Sequence, residues 1–204
     1  MINRQNKILK QLKELERRSS KMRLAAESWN KDWQTLVSTI MSARTRDEKT
    51  IPVASKLFKK YTLSKLVKAN IKDVKEIIKP VNFYKTKTKN ILNCAKVLVK
   101  NYNSKVPKNF EELIKLPGVG RKTANVFLAE YGRHALGVDT HVFFIARKLG
   151  WAKSNHPHKV EEELKKLFPK KYWNKINEIL VRFGKTYTSR KEKNKILNEI
   201  KRLR

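Results

Sequence analysis

The segment Leu116–Phe127, "LPGVGRKTANVF", sets two glycines around a valine and places a lysine, Lys122, two residues behind the second glycine. Glycine backbones enter regions closed to other residues, so Gly118 and Gly120 are expected to reverse the chain tightly between two helices. A reversal without side chains lets backbone N–H groups approach a phosphate closely. The partial positive charge at the start of the following helix strengthens that contact, which carries no base information. Lys122 falls on the first turn of this second helix. A lysine amine is nucleophilic only when unprotonated, and a helix start among other cations disfavours the ammonium, as Schiff-base chemistry requires. Taken alone, one lysine in so basic a chain reads as another phosphate contact.

Fifteen residues beyond Lys122 begins "GVDTHVFF", Gly137–Phe144, which places Asp139 seventeen residues beyond the lysine. Asp139 ends an apolar stretch and begins a helical one, the position of an N-cap. The field at a helix start stabilises a carboxylate there. Such an anion can assist proton transfer from an amine or oppose cationic charge growing on a sugar ring; a plain cap is the simpler reading. Hairpin, lysine and aspartate together form a far more specific constellation than any one of them.

These residues need rigid elements to hold them, and the pattern supplying those elements is helical throughout. Ile8, Leu12 and Leu15 form one stripe. Trp33, Leu36, Val37, Ile40 and Met41 form a second, with the i, i+3, i+4, i+7, i+8 spacing of a buried face. Asp47 is expected to cap a helix carrying Ile51, Ala54, Leu57 and Phe58. Short segments follow near 63–69 and 73–78, stopped by Pro80. Ile91, Cys94, Ala95, Leu98 and Tyr102 mark a longer helix in which Cys94 is a small core residue. Pro107 precedes a helix with Phe110, Leu113 and Ile114, and the pattern resumes over 123–131, 140–149, 159–168 and 172–183. A last helix carries Ile196, Leu197, Ile200 and Leu203. The expectation is an all-α protein of about ten short helices.

Composition narrows the partner. The 204 residues are 40% hydrophobic and 33% charged, which suits a folded chain with a strongly charged surface. Forty-nine Lys and Arg face eighteen Asp and Glu, and the excess of +31 is spread along the whole chain. Such a surface repels itself unless it meets a polyanion, so nucleic acid is the expected partner. Cys94 is the only cysteine, which excludes an internal disulfide, a cysteine zinc finger and a four-cysteine iron–sulfur cluster. With no membrane-length apolar run and no signal-peptide pattern, a soluble cytoplasmic protein is expected, nucleoid-associated in a prokaryote. "HPH", His156–His158, lacks an evident third ligand, so no metal site is expected.

At the hairpin and aspartate the sequence resembles the helix-hairpin-helix (HhH-GPD) DNA glycosylase superfamily, most closely its endonuclease III branch. "LPGVGRKTANV" at 116–126 is similar to that branch's hairpin, and "VDTH" at 138–141 to its aspartate segment. Weaker likeness extends to "IMSARTRD" at 40–47, "VNFYKTKTKNI" at 81–91 and "LVRFGKTYT" at 180–188, so that it covers about residues 30–190. The resemblance implies two all-α lobes with a DNA-binding cleft between them. One lobe spans 25–134 and contains the helix-hairpin-helix at 111–131; the other joins 1–24 to 135–204. It implies that a damaged nucleotide is flipped out of the stack, at a cost of a few kcal/mol that is least for a damaged or mispaired base. By the same likeness Lys122 is the Schiff-base lysine and Asp139 the catalytic aspartate, giving glycosylase and lyase activity together. Leu116, Pro117, Gly118, Val119, Gly120, Arg121, Thr123 and His141 are the implied DNA contacts, with Ser42, Thr45, Phe83 and Tyr84 lining a pocket. Backbone carbonyls of Ile114, Leu116 and Val119 are implied holders of a monovalent cation beside a phosphate.

Three departures from the branch stand out. After "FGKTYT" the branch usually closes with a four-cysteine iron–sulfur loop; here "SRKEKNKILNEIKRLR" follows, so no cofactor is expected and an amphipathic helix takes over the packing. Arg44 stands where a glutamine usually fills the gap left by the flipped base. An arginine there can stack and donate to guanine, or simply contact phosphate. Asn82 replaces a common glycine, and asparagine's tolerance of left-handed angles is expected to preserve the turn. The reading favoured is a monomeric bifunctional DNA glycosylase/AP lyase of base-excision repair, acting on duplex DNA with damaged or mispaired pyrimidines or abasic sites. The alternatives are a glycosylase for uracil or thymine opposite guanine or for alkylated purines, and a non-catalytic hairpin protein that only grips DNA.

Overall fold

The computed structural model of the protein describes residues 2–203, which form twelve α-helices and one short 3-10 helix, with no strand among the described residues. Each helical stretch read from periodicity has a counterpart, though the first and sixth helices, of 17 and 18 residues, are long rather than short. No helix of the described residues is long and apolar enough to cross a membrane. The chain divides into two compact units. One is Arg23–Tyr131; the other joins Met1–Met22 to Gly132–Arg204.

The continuous unit contains α2 (Asp32–Ser42), α3 (Asp47–Lys60), α4 (Leu63–Val67), α5 (Ile71–Ile78), α6 (Tyr84–Asn101), α7 (Phe110–Leu113) and α8 (Arg121–Glu130). Helix α2 is its centre and packs against α3, α6 and α8. Its stripe of Leu36, Val37, Ile40 and Met41 is almost wholly removed from water, each side chain gaining about 1.5–3 kcal/mol by burial. Cys94 and Leu98 on α6 and Phe127 on α8 complete this core. Phe58 seals one end with its ring set edge-on to Trp29 and Trp33, centroids 4.9 and 5.1 Å apart. The N-cap of α3 is Arg46, not Asp47, which occupies the first turn. A carboxylate at that position still complements the helix dipole.

The discontinuous unit contains α1 (Ile2–Arg18), α9 (Thr140–Leu149), α10 (Pro157–Leu167), the 3-10 helix Lys170–Tyr172, α11 (Trp173–Thr186) and α12 (Arg190–Arg202). Helix α11 packs on both α1 and α9, and α12 packs on α9 and α1. Ile8, Leu12 and Leu15 of α1 meet a core that includes Ile176, Leu180 and Phe183 of α11 and Leu197 and Ile200 of α12. Buried Gln11 ties three segments together. Its Nε2 donates to the carbonyls of Ile200 and Lys201 at 3.2 and 3.3 Å, and its Oε1 accepts the Trp151 indole N–H at 2.8 Å. The region after "FGKTYT" is therefore a capped amphipathic helix, with the Ser189 hydroxyl accepting from the Glu192 N–H.

Candidate functional site

The hairpin joins α7 to α8, and only one of its glycines is conformationally required. Gly118 has φ +81°, in the left-handed region, and a Cβ placed there would lie 2.8 Å from Asn90 Cβ. Gly120 differs from the expectation: it is extended (φ −93°, ψ 176°), serves as the N-cap of α8, and a Cβ there would meet nothing within 4 Å. Its missing side chain instead leaves the approach to the first N–H groups of α8 open, as an anion would need. Leu116 and Val119 are buried, so their side chains belong to the core rather than to the surface of the hairpin. The Leu116 carbonyl already accepts the Val119 N–H at 3.0 Å. Ile114 is 45% exposed and Pro117 is half-buried. Arg121 is exposed and lays its guanidinium 5.2 Å from the Phe110 ring centroid, whereas Thr123 is buried.

Lys122 occupies the second position of α8 and is half-buried. Among the described residues its amine takes part in no ion pair or hydrogen bond. In the other unit Asp139 is the N-cap of α9, with Oδ1 accepting the N–H groups of His141 and Val142, both at 2.9 Å. One carboxylate oxygen thus fixes the side chain by two bonds. His141 presses its imidazole against α11: a Cβ on Gly184 would come within 2.3 Å of its Nδ1. Gly184, unremarked in the sequence, is what lets the first turn of α9 sit so close to α11.

A second cluster surrounds the α2–α3 connection. Arg44 (φ 55°) and Phe83 (φ 59°) both hold left-handed backbones, each costing about 1–3 kcal/mol and persisting only where the surroundings impose it. The strained position expected at Asn82 falls one residue later, on Phe83, the N-cap of α6. Asn82 acts differently: its Nδ2 donates to the Arg44 carbonyl at 2.5 Å, and its backbone N–H donates to Thr45 Oγ1 at 3.1 Å. Beneath them the buried Lys87 amine donates to the carbonyls of Met41 (2.7 Å) and Ala43 (2.6 Å) and to Thr45 Oγ1 (3.2 Å). Burial pushes this lysine from its ordinary 10.5 down to about 8. Thr45 is sealed under the turn, and Ser42 Oγ turns back to the Thr39 carbonyl at 2.9 Å. Tyr84 is half-buried, while Phe83 stands 60% exposed with the Arg44 guanidinium 5.7 Å from its ring centroid. Lys87 was missed because it reads as one more surface lysine. Its place on the buried stripe of α6, four residues before Ile91, is the signal that marks it.

The residues present do not suit an iron–sulfur cluster, which needs several thiolates. The single cysteine, Cys94, lies in the α6 core with burial pushing its thiol up to about 12. The His156 and His158 rings lie 5.9 Å apart, and among the described residues no group of three His, Cys, Asp or Glu is placed to hold a metal.

A family model described as the HhH-GPD superfamily base excision DNA repair protein matches residues 37–170, a stretch holding the hairpin, Lys122, Asp139 and the Arg44 turn. Endonuclease III of Thermotoga maritima is 45% identical over 155 residues, covering 75% of this chain and 73% of that protein. Endonuclease III of Rickettsia felis is 38% identical over 159 residues, with 77% and 75% covered. A trapped endonuclease III–DNA covalent intermediate superposes with a TM-score of 0.82 at 29% identity, over 91% of this chain and 88% of that one. A thermostable thymine-DNA glycosylase, at 18% identity, shares the fold with a TM-score of 0.79 over 93% and 90%. With two thirds of its length matched and its hairpin and aspartate in place, the chain belongs to the HhH-GPD superfamily of base excision DNA repair proteins, in the endonuclease III branch.

Proposed function

We propose that this DNA-binding member of the endonuclease III branch, a base-excision glycosylase with AP-lyase activity, removes oxidised or mispaired pyrimidines from duplex DNA as a monomer, with Lys122 as nucleophile and Asp139 as its partner carboxylate. The observation that carries the assignment is the half-buried, uncommitted amine of Lys122 on the first turn of α8, directly behind a hairpin open to phosphate. Backbone N–H groups at the start of α8 hold the phosphate and fix the register of the strand. The flipped nucleotide presents C1′ to the amine. The Lys122 nitrogen forms a bond to C1′ as the glycosidic bond breaks, and the electron pair departs with the base. Loss of an amine proton and opening of the sugar ring give the imine, and removal of a C2′ proton then expels the 3′ phosphate oxygen by β-elimination. Water releases the lysine. Asp139, fixed through Oδ1, accepts protons or opposes positive charge on the sugar with its other oxygen. The carbonyls of Ile114, Leu116 and Val119 are the groups that would hold a monovalent cation beside the bound phosphate.

Borohydride reduction on an abasic-site duplex tests the reading. Wild-type protein is expected to form a covalent adduct, and Lys122→Ala to lose it while still binding the duplex. Asp139→Asn keeps an N-cap side chain, so the fold should hold while base release slows by orders of magnitude. An adduct that survives in Lys122→Ala would move the nucleophile elsewhere. Base release with strands left intact until alkali would make the enzyme monofunctional.

A further inference from the structure

Within the discontinuous unit, the C-terminal half of α1 and the middle of α11 line a cavity of about 590 Å³. One wall is the face of α1 that carries Lys13, Glu16 and Arg17, continued by Ser20 and Lys21 beyond the helix end. Across from it, Ile179 of α11 supplies an apolar floor, only 4% exposed, with Arg182 beside it. Hydrogen bonds between the two sides fix the shape. The Ser20 N–H donates to Thr186 Oγ1 at 2.9 Å, the Tyr187 hydroxyl to the Arg18 carbonyl at 3.2 Å, and Arg182 Nε to the Met22 carbonyl at 3.0 Å. The Ser20 hydroxyl oxygen itself is buried and has no hydrogen-bond partner among the described residues, a costly arrangement unless something else supplies one. Lys13, Glu16 and Lys21 are exposed, and among the described residues their side chains enter no ion pair or hydrogen bond. Arg17 is held instead. Glu14 grips it through two bonds, from Nε to Oε2 at 2.8 Å and from Nη2 to Oε1 at 2.7 Å, which set the guanidinium plane while leaving the side chain 69% exposed.

Four cations thus meet two carboxylates, and one of these, Glu178, is already paired with Arg182. The excess of cations favours a phosphate. The spare carboxylate of Glu16 would oppose a bare phosphate, but it is the group that accepts a ribose hydroxyl. A guanidinium with a set plane and an open face is a surface on which a base stacks. The volume falls in the range of small-molecule sites and exceeds what a lone phosphate needs. We propose that this cavity is a ribonucleotide site: Lys13 and Lys21 hold the phosphates, the Arg17 guanidinium takes the base, and Glu16 and Ser20 receive the ribose hydroxyls. The assignment is independent of the glycosylase reading, because it uses no residue of the hairpin or of α9. A DNA strand fits the cavity less well. Glu16 and Glu178 interrupt the run of cations that its phosphates would follow, and its sugars lack the 2′-hydroxyl that Glu16 accepts.

Isothermal titration calorimetry on the full chain tests this, in about 150 mM salt to suppress diffuse attraction to the charge of +31. The probes are ADP, dADP, adenosine, inorganic phosphate and a short single-stranded oligodeoxynucleotide. ADP is expected to bind as one equivalent, about fivefold tighter than dADP and at least about tenfold tighter than phosphate or adenosine. Replacing Lys13 and Lys21 together by serine should weaken ADP at least about tenfold. The same replacement at Lys159 and Lys166, exposed on α10, should change it by less than about twofold. Glu16→Ala should erase the preference for ADP over dADP. Ser20→Ala should weaken ADP about threefold with no fall in melting temperature, since the hydroxyl has no partner in the protein to lose. Phosphate binding as tightly as ADP, or an equal loss in the α10 pair, would overturn the assignment in favour of bare anions on a basic surface. Equal Kd for ADP and dADP would overturn it by removing the sugar contact. A Lys13 and Lys21 pair that weakens the oligodeoxynucleotide but not ADP would overturn it by making the cavity a strand contact. Expected ADP binding by a protein that traps no abasic DNA would sink the lyase reading and leave the ribonucleotide site standing.

Discussion

A methyl group at Gly118 would have to sit 2.8 Å from Asn90 Cβ on a backbone at φ +81°, so strain and overlap act together there. Gly118→Ala is expected to lower stability by at least about 2 kcal/mol. At Gly120 the same methyl meets open space on an extended backbone. Gly120→Ala should leave stability within about 0.5 kcal/mol and weaken duplex binding several-fold, because the new group shields the first N–H groups of α8. Thermal melting and fluorescence anisotropy on the two variants check this opposition; a destabilised Gly120→Ala would contradict it. Lys87 sets a second test at this scale. Its folded-state value lies near 8 and its ordinary value at 10.5, so between those limits the unfolded chain binds more protons. Stability contributed by this residue therefore rises with pH across that window and is lost as pH falls through about 8. Cys94 works in the opposite direction, losing stability as pH climbs from 9 towards about 12. The difference between wild-type and Lys87→Met unfolding curves isolates the lysine. It should move in favour of wild type by up to about 3 kcal/mol from pH 8 to 10.5; a flat difference would mean the amine is solvated in the folded protein.

At the scale of elements, α12 shows how a helix is held by a single polar residue at its end as well as by its apolar stripe. Removing the Gln11 amide would orphan the Trp151 indole N–H, take the Gln11 donor from the Lys201 carbonyl and leave the Ile200 carbonyl to the Leu203 N–H. Gln11→Ala is expected to cost about 2–3 kcal/mol in denaturant unfolding, with α12 the first segment to lose amide protection. Uniform exchange over the discontinuous unit would show that α12 is held by Leu197 and Ile200 alone. The helices themselves were legible because their buried faces repeat at helical spacing: Leu36, Val37 and Met41, or Leu197 and Ile200, announce their own packing. Asp139 was legible as a cap for a similar local reason. Other features were not, because they depend on residues distant in the chain. Asn90 decides that Gly118 must be glycine, His141 decides the same for Gly184, and Lys87 looks like a surface cation until α6 is set against the end of α2. The left-handed residue at the start of α6 was misplaced by one because Asn82 gained more from its bond to Arg44 than from turning.

For the molecule as a whole, the charge of +31 makes binding to DNA an exchange of ions. If about five phosphates are neutralised, log K should fall with log salt at a slope near −4.5, roughly a 500-fold loss between 50 and 200 mM. Anisotropy titrations across that range read the slope directly, and a shallow one would place most of the cations away from the bound strand. The route of the chain carries a different consequence. Helix α1 belongs with α11 and α12, yet 109 residues forming a unit of their own, Arg23–Tyr131, lie between it and the segment that holds them. On the ribosome the intervening unit can close while Ile8, Leu12 and Leu15 still lack a surface to cover them. Until the segment beyond Tyr131 has emerged, each newly made chain thus carries α1 as a greasy helix with nothing of its own unit to cover it.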